Sequence, residues 1–307
     1  MRHSISAVIG ALLLSSASFA AKPPTSNANP QVAYVALSGK SVKLMVADEN
    51  GSNASALYTS AAPFRFDLAP RAQHQVAINA RDGQLKLLNY TASSNGTLTA
   101  VGSPVALANA TSGTTLDFSP NGRRIAYSCC DGGGPQKLMV YDLDTQTATE
   151  WATVQFVWDV AFFRGGAAIA YGEPNTSGGQ DLYEINAPGA TPTLLYHDVG
   201  DFYFDASRTN PDALVLDYHD IAGNAFIGLW QAPVGSETEG HFLVQNLTNR
   251  TVAFYGTLNC TDEKLAYMSS TTPAGGQVFF IRNLNTAQDA VFAKSSNIQL
   301  QFWPTCN

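Results

Sequence analysis

Charge is what this sequence has least of. Only 13% of its residues are Asp, Glu, Lys or Arg, about half the share of an average soluble domain. The net charge is −7 and no lysine–arginine cluster occurs. Nucleic-acid backbones are held by concentrated positive charge, so a nucleic-acid partner is excluded. Cysteine is sparse as well. The four present are Cys129, Cys130, Cys260 and Cys306, and none forms a Cys-x-x-Cys pair. That argues against a zinc knuckle and against a thioredoxin-like redox site. No Gly-x-Ser-x-Gly elbow occurs, which removes the serine nucleophile of an α/β-hydrolase.

Long apolar runs are also missing. The run from Ile5 to Leu14 is too short to span a bilayer. It follows the positive start Met1-Arg2-His3 and precedes Ser18-Phe19-Ala20, which carries small residues where a signal peptidase reads. The expectation is a signal peptide over residues 1–20, a flexible leader over 21–30 and one domain over 31–307. The mature chain then has no transmembrane segment and is periplasmic or secreted. An even number of cysteines suits such an oxidising compartment.

What the chain does have is a repeat. Six apolar triplets follow turns: Val32-Ala33-Tyr34, Val76-Ala77-Ile78, Ile125-Ala126-Tyr127, Ile169-Ala170-Tyr171, Leu214-Val215-Leu216 and Leu265-Ala266-Tyr267. Their central residues lie 44, 49, 44, 45 and 51 positions apart. A period of this size accommodates four strands and their turns. The third copy is the clearest. A strand over 114–119, the turn Pro120-Asn121-Gly122, and strands over 123–128, 137–142 and 148–153 make an antiparallel meander. Such a unit has two apolar faces and must stack against neighbours to bury both.

The ends of the chain set the number of units. The first repeat begins at its second strand, near Gln31, and the last is followed by a surplus segment, Ile298 to Pro304. Joined, they rebuild one repeat. The expected fold is all-β: a six-bladed β-propeller of four antiparallel strands per blade, closed by the C-terminal strand completing the first blade. Closure removes the exposed sheet edges of an open array.

The stretch Leu116-Asp117-Phe118-Ser119-Pro120-Asn121-Gly122, with Ile125-Ala126-Tyr127 and Leu138-Met139-Val140-Tyr141-Asp142 after it, resembles the TolB-like (PD40, WD40-like) propeller repeat. The likeness is close in the third repeat and degenerate elsewhere. It implies a propeller that binds a protein or peptide at the mouth of its central channel. Nothing like the α/β domain that precedes the TolB propeller is expected here.

The first strand of each blade lies nearest the axis. Asp67 and Asp117 occupy one position of the repeat, and Asp159 and Asp201 lie two residues earlier, on the same strand face. These four are the candidate channel-lining residues. They could bind a calcium or magnesium ion through oxygen, or bond neighbouring backbone and leave the protein without a cofactor. His74, His197, His219 and His241 are scattered, with His197 and His241 in predicted outer strands, so they form no metal cluster. Glu173, Asp181 and Glu184 show no glycosidase spacing. Phe118, Phe162 and Phe302 share one blade position and are expected between blades. Cys260 and Cys306 fall at the same end of neighbouring inner strands and are the candidate disulfide. Cys129 and Cys130 would then be free thiols or a vicinal pair.

The expected function is a monomeric exported scaffold for a protein or peptide of the cell envelope or extracellular space. The alternative is a lyase or hydrolase acting on an extracellular polymer with a metal in the channel.

Overall fold

A computed structural model describes residues 31–302 apart from 39, 50, 52, 94–96, 113, 131–133, 198–199, 201–202, 221, 236, 238, 251, 271–276 and 295–298. The expected signal peptide and leader, Asp201 and Cys306 lie outside the described residues.

The described residues form six sheets of four strands each. All strand pairings within them are antiparallel, and two single-turn 3-10 segments are the helical elements among the described residues. The chain is therefore a six-bladed all-β propeller. Five blades are built in sequence order, at residues 64–109, 116–154, 160–197, 204–244 and 253–294. The first blade alone is made from both ends. Its inner strand Leu300–Phe302 pairs with Gln31–Ser38 through Val32 with Phe302, Ala33 with Gln301 and Tyr34 with Leu300.

The recurring triplets form the second strand of each blade, where they are covered on both faces. Ala33, Ala77, Ala126, Ala170, Val215 and Ala266 at their centres are all buried. Small residues there let adjacent blades approach closely. Six apolar clusters result, one at each blade interface. Phe118, Phe162 and Phe302 belong to three of them. This is the burial that one meander could not achieve alone.

The fifth blade shows how tight the packing is. Trp230 is fully buried, and a Cβ added to Gly240 would lie 2.0 Å from its Cζ2 and 2.7 Å from the Gln231 carbonyl oxygen. The backbone oxygen cannot retreat as a side chain could. Gly240→Ala is expected to cost about 1–3 kcal/mol, read as a lowered urea midpoint with an unchanged m-value.

Candidate functional site

The inner strands bring two rings of side chains to the axis. The inner ring contains the residues opposite the triplet centres: Gln301, Asp67, Asp117, Ala161, Asp205 and Thr257. Two residues earlier on the same strand faces come Gln299, Arg65, Thr115, Asp159, Tyr203 and Tyr255, which form the mouth. Between the rings lies a cavity of about 70 Å³, room for a few waters. Asp117, Asp159 and Asp205 contribute to its wall, with Arg65, Tyr203 and Tyr255.

The carboxylates have a second duty. Each inner strand is the edge of its sheet, so half its amides point away from their own blade and need an acceptor. Asp67 accepts from the Phe118 amide of the next blade at 2.6 Å, and Asp117 accepts from Phe162 at 2.5 Å. Asp159 accepts from Phe204 at 2.9 Å. Gln299 performs the same task between the first two blades, accepting from the Phe66 amide at 3.2 Å and donating to the Phe66 carbonyl at 2.7 Å. Asp67, Asp117 and Asp159, read from sequence as channel-lining, thus fasten the second blade to the third, the third to the fourth and the fourth to the fifth, each with one oxygen.

Several participants carried no signal in the repeat. Asp205 stands level with Asp67 and Asp117 and accepts from the Thr257 hydroxyl at 2.6 Å. The turn that follows it is one residue longer than the matching turn of the third blade. The structure gives seven residues between the paired positions Ala206 and Leu214, against six between Phe118 and Ile125. Arg208, in that turn, donates to both oxygens of Asp205 at 2.9 and 3.0 Å and lies near Asp67 and Asp117. It follows the inner-ring residue Asp205 along the chain, whereas the mouth residue Tyr203 precedes that ring position. Asp217 comes from a second strand, is 1% exposed, and accepts from Tyr255 at 2.6 Å. It thereby holds a bulge between Phe254 and Thr257 in which Tyr255 has φ 57°.

That bulge turns Tyr255 toward the axis, where its ring centre lies 4.2 Å from that of Tyr203. The Arg65 guanidinium sits over the Tyr255 ring at 5.7 Å. Phe156 and Trp158 meet edge to face at 4.8 Å in the loop leading to Asp159, and Trp158 is 36% exposed. The mouth is accordingly aromatic, with one arginine.

No histidine among the described residues lines the cavity. His197 and His241 lie in the fourth strands Thr193–His197 and His241–Val244. His197 Nδ1 is 2.6 Å from Asp181 Oδ1. Among the described residues no group of three or more His, Cys, Asp or Glu is placed to hold a metal ion. No helix among them is long and apolar enough to cross a membrane. Cys129 and Cys130 form the vicinal disulfide, Cα atoms 3.7 Å apart, and none of the described cysteines is free.

The sequence matches no protein-family model and no curated protein. Solved structures are similar in fold. TolB from Acinetobacter baumannii superposes with a TM-score of 0.64 at 13% identity, over 90% of this chain and 67% of that one. An Agrobacterium tumefaciens protein assigned as TolB gives 0.59 at 12%, over 91% of this chain and all of that one. The fold is that of the TolB-like six-bladed propellers. A chain of the nidogen/laminin complex is also similar, with a TM-score of 0.61 at 11% identity, over 90% of this chain and all of that one.

Burial controls the acids of this TolB-like propeller. It pushes Asp159 up to about 6, against the opposing bonds from the Thr115 hydroxyl and the Phe204 and Val160 amides. Asp67 is likewise pushed up to about 6, while Asp117 and Asp217 rise well above the ordinary range, all chiefly by burial. In the unfolded chain each ionises near 4. Between these values the folded state binds more protons than the unfolded state. For Asp67 and Asp159 the stabilisation is therefore complete below about pH 4 and is lost as pH rises through about 6; for Asp117 and Asp217 it has the same sign. For Asp159 alone this amounts to roughly 3 kcal/mol. The melting temperature should rise as pH is lowered from 7.5 to 5, and Asp159→Asn should reduce that rise. A melting temperature that falls steadily on acidification would contradict the assignment.

Proposed function

We propose that this chain is an exported, periplasmic or secreted, binding scaffold that engages a protein or peptide at the aromatic mouth of its channel. The observation that carries this reading is the site's form: a cavity of about 70 Å³ walled in part by the half-buried Arg65, Tyr203 and Tyr255, with half-buried Phe156 and exposed Trp158 in the loop that leads to Asp159 on the same wall. Small-molecule sites enclose several hundred cubic ångströms, and a sugar ring of a polymer needs more room than this. Aromatic residues and arginine are the side chains on which protein interfaces concentrate their binding energy. A similar fold occurs in the nidogen/laminin complex, and TolB supplies the envelope analogy.

The partner touches the mouth while the inner ring stays structural. A photo-crosslinking residue at position 158 should capture a protein from envelope extract. The same residue at position 105, on an outer strand exposed at 59%, should not. Arg65→Glu should abolish the capture. Equal capture from both positions would remove the mouth from consideration.

The same arrangement bears on metals. Asp67, Asp117 and Asp159 are already bonded to backbone, and Arg208 supplies positive charge at the inner ring. Calcium added after chelation is expected to leave the melting temperature unchanged. A rise consistent with millimolar or tighter binding would favour the polymer-acting enzyme.

A further inference from the structure

We propose that Cys129–Cys130 is a site of thiol–disulfide exchange, and that its reduction resets the segment of chain forming one side of the channel mouth. The consequence for the mouth rests on the binding reading above; the exchange chemistry does not.

The two sulfurs stand in unlike surroundings. Cys129 ends the second strand of the third blade, Arg124–Cys129, and is 6% exposed within the apolar cluster shared with the second blade. Cys130 is exposed and has φ 80°, a left-handed conformation that residues with a Cβ seldom adopt. The strand ladder stops there. Cys129 pairs with Lys137, and Gln136 is the residue next in register, opposite Cys130. Gln136 is itself buried, and its side-chain oxygen accepts from the Val157 amide at 3.0 Å. Val157 is followed by Trp158 and Asp159, the platform and wall of the mouth. One ladder position and one hydrogen bond therefore separate the disulfide from the proposed interface.

The exchange is a two-electron reduction by an external dithiol. A thiolate of the reductant attacks the sulfur of Cys130, the exposed residue of the pair, and the sulfur–sulfur bond breaks. Cys129 leaves as a thiolate and takes a proton. The reductant's second thiol then attacks the mixed disulfide and displaces Cys130 as a thiolate, which is also protonated. The reductant departs as a disulfide and the chain keeps two thiols. Released from the ring, Cys130 can take an extended conformation and pair with Gln136. That lengthens the ladder by one residue, draws Gln136 toward the second strand and loosens its hold on Val157.

The test uses the full mature chain under native conditions. After treatment with dithiothreitol, the thiols are blocked with N-ethylmaleimide and the modified peptides mapped by mass. Amide hydrogen exchange is followed in parallel. The expected result is alkylation of both Cys129 and Cys130 while the chain remains folded, with exchange at Val157 faster by about tenfold. Cys130→Ser should show the fast exchange without reductant and no further response to it. A pair that resists alkylation until the chain unfolds would overturn the exchange site. Alkylation with Val157 exchange unchanged would overturn the coupling. Loss of cross-linking at position 158 in the oxidised chain would instead count against the binding reading alone.

Discussion

A chain stopped at residue 298 should have no cooperative unfolding transition. The truncation removes Phe302, 3% exposed in the cluster between the last and first blades. Loss of a buried phenylalanine side chain alone costs about 3–5 kcal/mol. It also removes three strand pairings and the bond from the Val35 amide to the Gln299 carbonyl. The two bonds between Gln299 and Phe66 go with them. At roughly 1 kcal/mol per bond, the total reaches the 5–15 kcal/mol that a domain commonly has. The open ring would also present the unpaired edge of Gln31–Ser38, which invites aggregation. Circular dichroism against temperature should give a broad slope in place of a sigmoid. A transition as sharp and as high as the parent's would refute closure by this strand.

Arg208→Ala should be the most damaging single substitution on the axis, and its effect should depend on pH. Arg208 faces Asp205 directly and has Asp67 and Asp117 nearby. Without the guanidinium, three carboxyl groups share a poorly hydrated space. Removing one partner of such a group typically costs about 3–5 kcal/mol; the side chain retains 18% exposure, so about 3 kcal/mol is expected at pH 7.5. Near pH 5 the carboxyls that burial already pushes up take protons, and the need for a cation falls. The loss should shrink to about 1 kcal/mol there. Urea midpoints at the two pH values measure the difference. Equal losses at both would mean that Arg208 acts through its methylenes.

The architecture was legible because it is periodic. Triplets such as Ile125-Ala126-Tyr127 recur wherever a second strand must be buried on both faces, and three strands of a blade at one end with a single strand at the other announce their own joining. The axis was legible only in part. Asp67, Asp117 and Asp159 stand out as acids at fixed places in the repeat. Their bonds to Phe118, Phe162 and Phe204 depend on how blades are rotated against one another, which no single repeat encodes. Asp217 was missed because it comes from a second strand, and Tyr255 because a bulge puts it where regular spacing would not. Arg208 sits in a turn, where an arginine in sequence suggests only solvent.

The pairing of Val32 with Phe302 also orders events in time. Blades two to six consist of consecutive residues, so each can form its meander as soon as its own segment has left the ribosome. The first blade cannot. Its outer three strands emerge before the other five blades, yet their inner neighbour, Leu300–Phe302, is made after all of them. Contacts of such sequence separation form slowly, and until this one forms the nascent chain is an arc with two unprotected ends. Aggregation during synthesis should therefore be governed by the interval between emergence of the sixth blade, at 253–294, and emergence of Leu300–Phe302. Slowing elongation between residues 294 and 302 should lower the yield of this protein more than the same pause would in a domain whose ends are built from neighbouring residues.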